Sequence, residues 1–127
     1  MIINRSIDVE DEVRQALSGH IKAYCRPLPK DFTVPSILVQ QVGGTDANTI
    51  DSFEVVLDAR AETDAEANET LRNAIGILKA VAANQTTALR HVSVNSSGSW
   101  GNDPVRPDLA MCSARIRVIA HEERTEV

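Results

Sequence analysis

From Leu109 to His121 alternate residues form two unlike series, and no other stretch restricts the fold as strongly. Ala110, Cys112, Ala114, Ile116, Val118 and Ala120 share one side; Leu109, Met111, Ser113, Arg115, Arg117 and Ile119 share the other. A period of two is that of a β-strand, whose successive side chains point to opposite faces. One face must therefore meet a core, while the mixed face meets water or a partner. Residues 50–61 repeat the pattern, with Phe53, Val55, Leu57 and Ala59 opposed to Glu54, Val56, Asp58 and Arg60. Two half-buried strands of this kind need an apolar layer on one side only.

Two helical patterns can supply that layer. Over residues 6–24, Val9, Val13, Ala16, Leu17, His20, Ile21 and Tyr24 recur at three- and four-residue spacing. Ser6 or Asp8 can cap this helix, and Glu10, Asp11 and Glu12 suit its positive end. Pro27, Pro29 and Pro35 make the next stretch an extended connector. A second helix is expected over 64–83. Thr63-Asp64-Ala65-Glu66 forms a capping-box sequence, followed by the stripe Ala67, Leu71, Ala74, Ile75, Leu78 and Ala82. Gly76 interrupts this helix, and the expected reason is close packing against the sheet. Asn84 suits its C-terminal cap.

Two further strands are expected at 36–42 and 89–95. The first ends at the turn signal Gly43-Gly44 and a polar loop over 45–49, the second at a Ser/Gly/Asn-rich loop over 96–104. The expected fold is a single α+β domain spanning 1–127, in α-β-β-α-β-β order. Its four-stranded, mainly antiparallel sheet carries two helices on one face in a two-layer sandwich. Residues 122–127 read as a frayed tail.

Composition narrows the functional classes. A chain of 127 residues with Tyr24, Phe32, Phe53 and Trp100 as its only aromatics must build its core from Val, Ile, Leu and Ala. The net charge is −5, and residues 51–70 hold seven acids against Arg60 alone. Such a band repels phosphate backbones, so nucleic acid is not an expected partner. No apolar run approaches the roughly 20 residues that cross a bilayer, and the first residues do not form a secretory signal. No membrane partner is expected, and the protein is read as cytosolic. Cys25 and Cys112 form no metal or redox motif and are expected as reduced thiols.

Catalytic signatures are missing. His20, His91 and His121 are dispersed, no serine lies in a G-x-S-x-G elbow, and no glycine-rich phosphate loop occurs. Glu54 and Asp58 stand about 13 Å apart by strand rise, too far to chelate one ion alone. No catalytic residue, cofactor or metal is assigned. For a pocket enzyme or ligand-binding domain, His91 and Asp103 are the only suggestions. Trp100 reads either as a cap over the core or as a contact anchor. The candidate interface comprises Glu54, Asp58, Trp100, Met111, Arg115, Arg117 and Ile119.

The order of parts resembles the tail terminator (tail-completion) proteins of long non-contractile-tailed phages and prophages. The resemblance covers about residues 7–121. It rests on an N-terminal helix and proline-rich connector leading to Pro35-Ser36-Ile37-Leu38-Val39-Gln40-Gln41-Val42-Gly43-Gly44. The strand Phe53–Arg60 and the helix start Glu62-Thr63-Asp64-Ala65-Glu66-Ala67 follow. Asn102-Asp103-Pro104-Val105-Arg106-Pro107 then leads to the strand Cys112–Ala120. The serine-rich loop around Trp100 departs from the pattern. The resemblance implies a structural role: a ring, usually of six copies, that ends the tail tube. Its implied partners are itself, the tail-tube protein and the head-tail connector. Its implied location is the host cytoplasm during assembly and then the virion. Another neck or head-closure component is the nearest alternative, and a small ligand-binding or enzymatic α+β domain the more distant one.

Overall fold

The structure, a computed structural model, describes residues 1–47 and 50–127. Its elements are β1 (Ile2–Arg5), α1 (Val9–Leu17), β2 (Ala23–Cys25), β3 (Ser36–Ala47) and β4 (Ile50–Ala61), then α2 (Asp64–Asn84), β5 (Leu89–Asn102), β6 (Ala110–His121) and β7 (Glu123–Glu126). Five strands form a mixed sheet in the order β2-β3-β4-β6-β5, and β1 pairs with β7 in a separate two-stranded sheet. The fold is α+β, but the expected four-stranded sheet and α-β-β-α-β-β order are incorrect. The three additional strands have four residues or fewer, too short to show a period. Pairing with distant strands makes them β.

At the centre, β4 and β6 run antiparallel in unbroken register from Ile50↔His121 to Ala61↔Ala110. Val55 meets Ile116, Leu57 meets Ala114 and Ala59 meets Cys112, so the two apolar sides share one face. Ile37 and Val39 of β3 extend that face, and Val9, Val13 and Leu17 of α1 join Leu71, Ala74 and Leu78 of α2 in the same core. Small β4 and β6 residues such as Ala59, Ala61 and Ala114 are buried in this cluster, where the short side chains admit close helix approach.

Helix α1 is shorter than the expected 6–24. Asp8 is its N-cap, accepting a hydrogen bond from the Asp11 amide, and Ser18 is its C-cap. Gly19 then turns at φ 88, a left-handed conformation that glycine adopts without a Cβ penalty. Ala23–Cys25, expected as the end of the helix, instead lies parallel to β3 as an edge strand. Past the reach of β2, Glu10 accepts the Gln41 amide at 3.0 Å and the Arg26 guanidinium at 2.5 Å. A side chain thus occupies part of the exposed β3 edge.

Strands β3 and β5 run past their expected ends. Gly43-Gly44 is not a turn but follows a register shift within β3, where Gly44 has φ 154 and a Cβ would lie 2.6 Å from the Ser52 carbonyl oxygen. Of the expected 45–49 loop, 45–47 continue the strand, and 48 and 49 lie outside the described residues. Strand β5 takes in Ser96–Asn102, read from composition as loop, and shifts register three times against β6. Residues 123–126, expected as a frayed tail, pair with Ile2–Arg5, and Arg5 holds Glu123 at 2.7 Å.

Helix α2 begins at the expected residue, with the Thr63 hydroxyl accepting the Glu66 amide at 3.2 Å. The C-cap is Gln85, left-handed at φ 55, one residue beyond Asn84. Gly76 does not pack against the sheet: it is exposed, and an added Cβ would meet nothing within 4 Å. Two substitutions in this one helix should therefore act in opposite directions. Thr63→Ala is expected to cost about 1 kcal/mol through loss of the cap. Gly76→Ala is expected to gain about 1 kcal/mol through helix propensity. Urea denaturation checks both, and a loss of stability in Gly76→Ala would mean that the site is crowded.

Candidate functional site

The β4–β6 register places Glu54, Asp58, Met111, Arg115, Arg117 and Ile119 on the sheet face opposite the helices. Glu54 lies across from Arg117, Val56 from Arg115, Asp58 from Ser113 and Arg60 from Met111. Arg115 donates to Glu54 at 3.2 Å, and Arg117 lies 4.0 Å from the other Glu54 oxygen. Two exposed arginines thus share one carboxylate, leaving the patch with excess positive charge. Pairs this exposed contribute at most about 1 kcal/mol each.

Asp58 does not belong to that exposed set. It is buried, accepting from the Gln40 side-chain amide at 2.7 Å and the Ser113 hydroxyl at 2.5 Å. Its two oxygens tie β3 and β6 to β4, a structural use that alternation alone could not distinguish from exposure. Met111 and Ile119 are half-buried on the same face. Trp100 is separated from them: it lies opposite Cys112 and so belongs to the helix-facing side of β5. It does not cap the core, since it is 51% exposed. Val94, also on that side by register, is exposed as well. Both sit on an edge strand whose outer side carries no neighbour among the described residues.

One end of the outer face is roofed. The connector places Phe32 there, buried, and the 103–109 loop places Asp103 beside Arg60. Arg60 Nε donates to Asp103 at 2.8 Å, with both side chains at least nine-tenths buried. The second Asp103 oxygen accepts the amides of Val105 at 2.9 Å and Arg106 at 3.3 Å, closing the loop on itself. Burial pushes the Asp103 carboxyl up, but the Val105 amide, Arg60 and the Arg106 amide together hold it below its usual range. The guanidinium carbons of Arg60 and Arg106 lie 5.9 and 5.7 Å from the Phe32 ring centre. Leu38, an outward residue of β3, is buried in the same place.

Between these segments lies a cavity of about 630 Å³, largely apolar in lining. Of the two sequence suggestions for a pocket, Asp103 lines it, and His91 instead borders a separate depression beside α2. Sequence reasoning missed Phe32, Arg60 and Arg106. The available signal was an aromatic residue, scarce in this chain, inside a proline-rich connector.

Other reactive groups do not converge. Both cysteines are free, and burial pushes the Cys112 thiol up, which makes it a poor nucleophile. Among the described residues no cluster of three or more His, Cys, Asp or Glu could hold a metal ion. No helix among the described residues is long and apolar enough to cross a membrane. No family model matches the chain, and no curated protein is significantly similar to it.

The roofing pair has a measurable signature. Asp103→Asn leaves Arg60 buried without its counter-charge and is expected to cost about 3–5 kcal/mol at neutral pH. Because the folded carboxyl titrates below its unfolded value, the stabilisation is full above the unfolded value and is lost as pH falls through the folded one. The gap between wild type and variant, followed by urea denaturation, should narrow as the solution becomes strongly acidic. A gap independent of pH would contradict the assignment.

Proposed function

We propose that the protein is a structural assembly component that works through copies of itself, in the role of a phage tail terminator. In this reading a ring of about six copies, typical of the resembling proteins, sits on the last ring of tail-tube protein. It stops growth of the tube and presents a surface to the head-tail connector. Assembly takes place in the host cytoplasm, and the ring ends at the tail-neck junction of the virion.

The observation that carries the reading is that two unlike surfaces lie on opposite layers of one small domain. The outer sheet face offers Arg115 and Arg117, with a single shared Glu54, beside half-buried Met111 and Ile119. The helix layer offers Glu62, Asp64, Glu66 and Glu69, all exposed around the start of α2. A head-to-tail contact between identical chains needs two different, complementary patches, and successive contacts close into a ring if the rotation allows. The contact thus uses the acids of α2 rather than Asp58, which is already engaged within its own sheet. Trp100 and Val94 on the β5 edge add exposed apolar surface of the kind that anchors interfaces.

Arg115→Glu with Arg117→Glu tests this directly. Both side chains are exposed, so the variant should fold, losing at most about 1 kcal/mol from each pair with Glu54. Light scattering and negative-stain imaging should show rings for the wild type, alone or on tail tubes, and none for the variant. A folded variant that still forms rings and still ends tubes would remove the proposed contact. A wild-type protein that stays monomeric and leaves tube growth unchanged would remove the reading itself.

A further inference from the structure

We infer that the roofed cavity is a binding site for a small organic carboxylate with a compact apolar tail. The inference stands on the cavity alone and does not depend on the assembly reading. Its volume of about 630 Å³ falls within the range of roughly 300–1,000 Å³ typical of small-molecule sites. Leu28, Phe32, Leu38 and Val105 supply apolar walls from three separate segments of the chain. Such a lining favours a hydrocarbon or aromatic group.

Charge selects the rest of the ligand. Lys30, Arg60 and Arg106 line the cavity against Asp103 as the one acid, so a chain of net charge −5 has here a locally positive recess. Arg60 has Nε committed to Asp103, so an anion in the recess is met by Lys30 and Arg106, which line it as well. A guanidinium donates a stronger, charge-assisted hydrogen bond to an anionic oxygen than to a neutral one. Arg106 can supply a further donor, since its present partner Asp108 is exposed and 3.4 Å away. A carboxylate matches a guanidinium edge, and its tail would lie along Phe32 and Leu38.

The probe is 3-phenylpropionate, with 3-phenylpropanamide as its neutral, equally shaped control. Titration of the ¹⁵N-labelled full chain should shift the Arg60 Nε–H signal and the Phe32 and Val105 amides. The acid should bind with a dissociation constant in the millimolar range or tighter, and the amide at least about tenfold more weakly. Because an Arg60 variant would also break the Asp103 pair, the second arm uses Val105→Glu. Val105 is 86% exposed, so the change should leave the fold intact while setting an anion at the cavity wall. It is expected to weaken the acid at least about tenfold. Equal affinity for acid and amide, shifts confined to another surface, or full binding by Val105→Glu would each overturn the proposal. Absence of any shift at about 20 mM acid, a concentration that would part-saturate even a millimolar site, would do the same.

Discussion

The register between β4 and β6 determines what every other part of the molecule can do. Because pairing is continuous from Ile50↔His121 to Ala61↔Ala110, the two alternating patterns reinforce each other. A slip by one residue would exchange the faces of one strand, burying arginines under the helices and exposing Val55 or Ile116. Leu57, Val55, Ile116 and Val118 are fully buried on the helix side, which makes that slip prohibitively costly. The same register fixes the outer row, so that Glu54 meets Arg117, Asp58 meets Ser113 and Arg60 stands where the loop at Asp103 can reach it.

The outer face is thereby divided into two environments. Where the connector and the 103–109 loop cross it, Phe32, Leu38 and the Arg60–Asp103 pair form a small second interior. A buried ion pair is a poor source of net stability compared with an apolar contact. It does, however, tether the 103–109 loop to β4. Away from that roof, Arg115 and Arg117 remain exposed beside Met111 and Ile119. The roofed part encloses a cavity with largely apolar walls, and the open part is an exposed face of mixed charged and apolar side chains.

The parts legible in the sequence were those whose pattern and environment agree. Strand β4, the start of α2 and nearly all of β6 lie where alternation and the Thr63 cap place them. Elements shaped by distant partners were not legible. Nothing local marks Ile2–Arg5 and Glu123–Glu126 as strands, since each is β only because the other is present. Ile21 and Tyr24 keep helical spacing from Leu17, yet Gly19 ends that helix and β3 recruits Ala23–Cys25. Ser96–Asn102 has the composition of a loop and is held as strand by β6. Of the candidate site, the outward positions of Glu54, Arg115 and Arg117 were readable from alternation. The burial of Asp58 was not, because it depends on Gln40 and Ser113 reaching it from neighbouring strands.

Self-assembly, as proposed, would cover exposed surface on this domain with further copies of the same chain. Trp100 reports on it without any label, because it is the only tryptophan and is 51% exposed at the β5 edge. Its fluorescence emission can be followed against protein concentration, with light scattering recorded on the same samples. With self-assembly the emission is expected to move to shorter wavelength as mass increases, since burial at an interface removes the indole from water. Emission that stays that of a wet tryptophan while rings form would contradict the placement of the β5 edge in the contact. Constant mass and constant emission across the whole range would contradict self-assembly of the free protein.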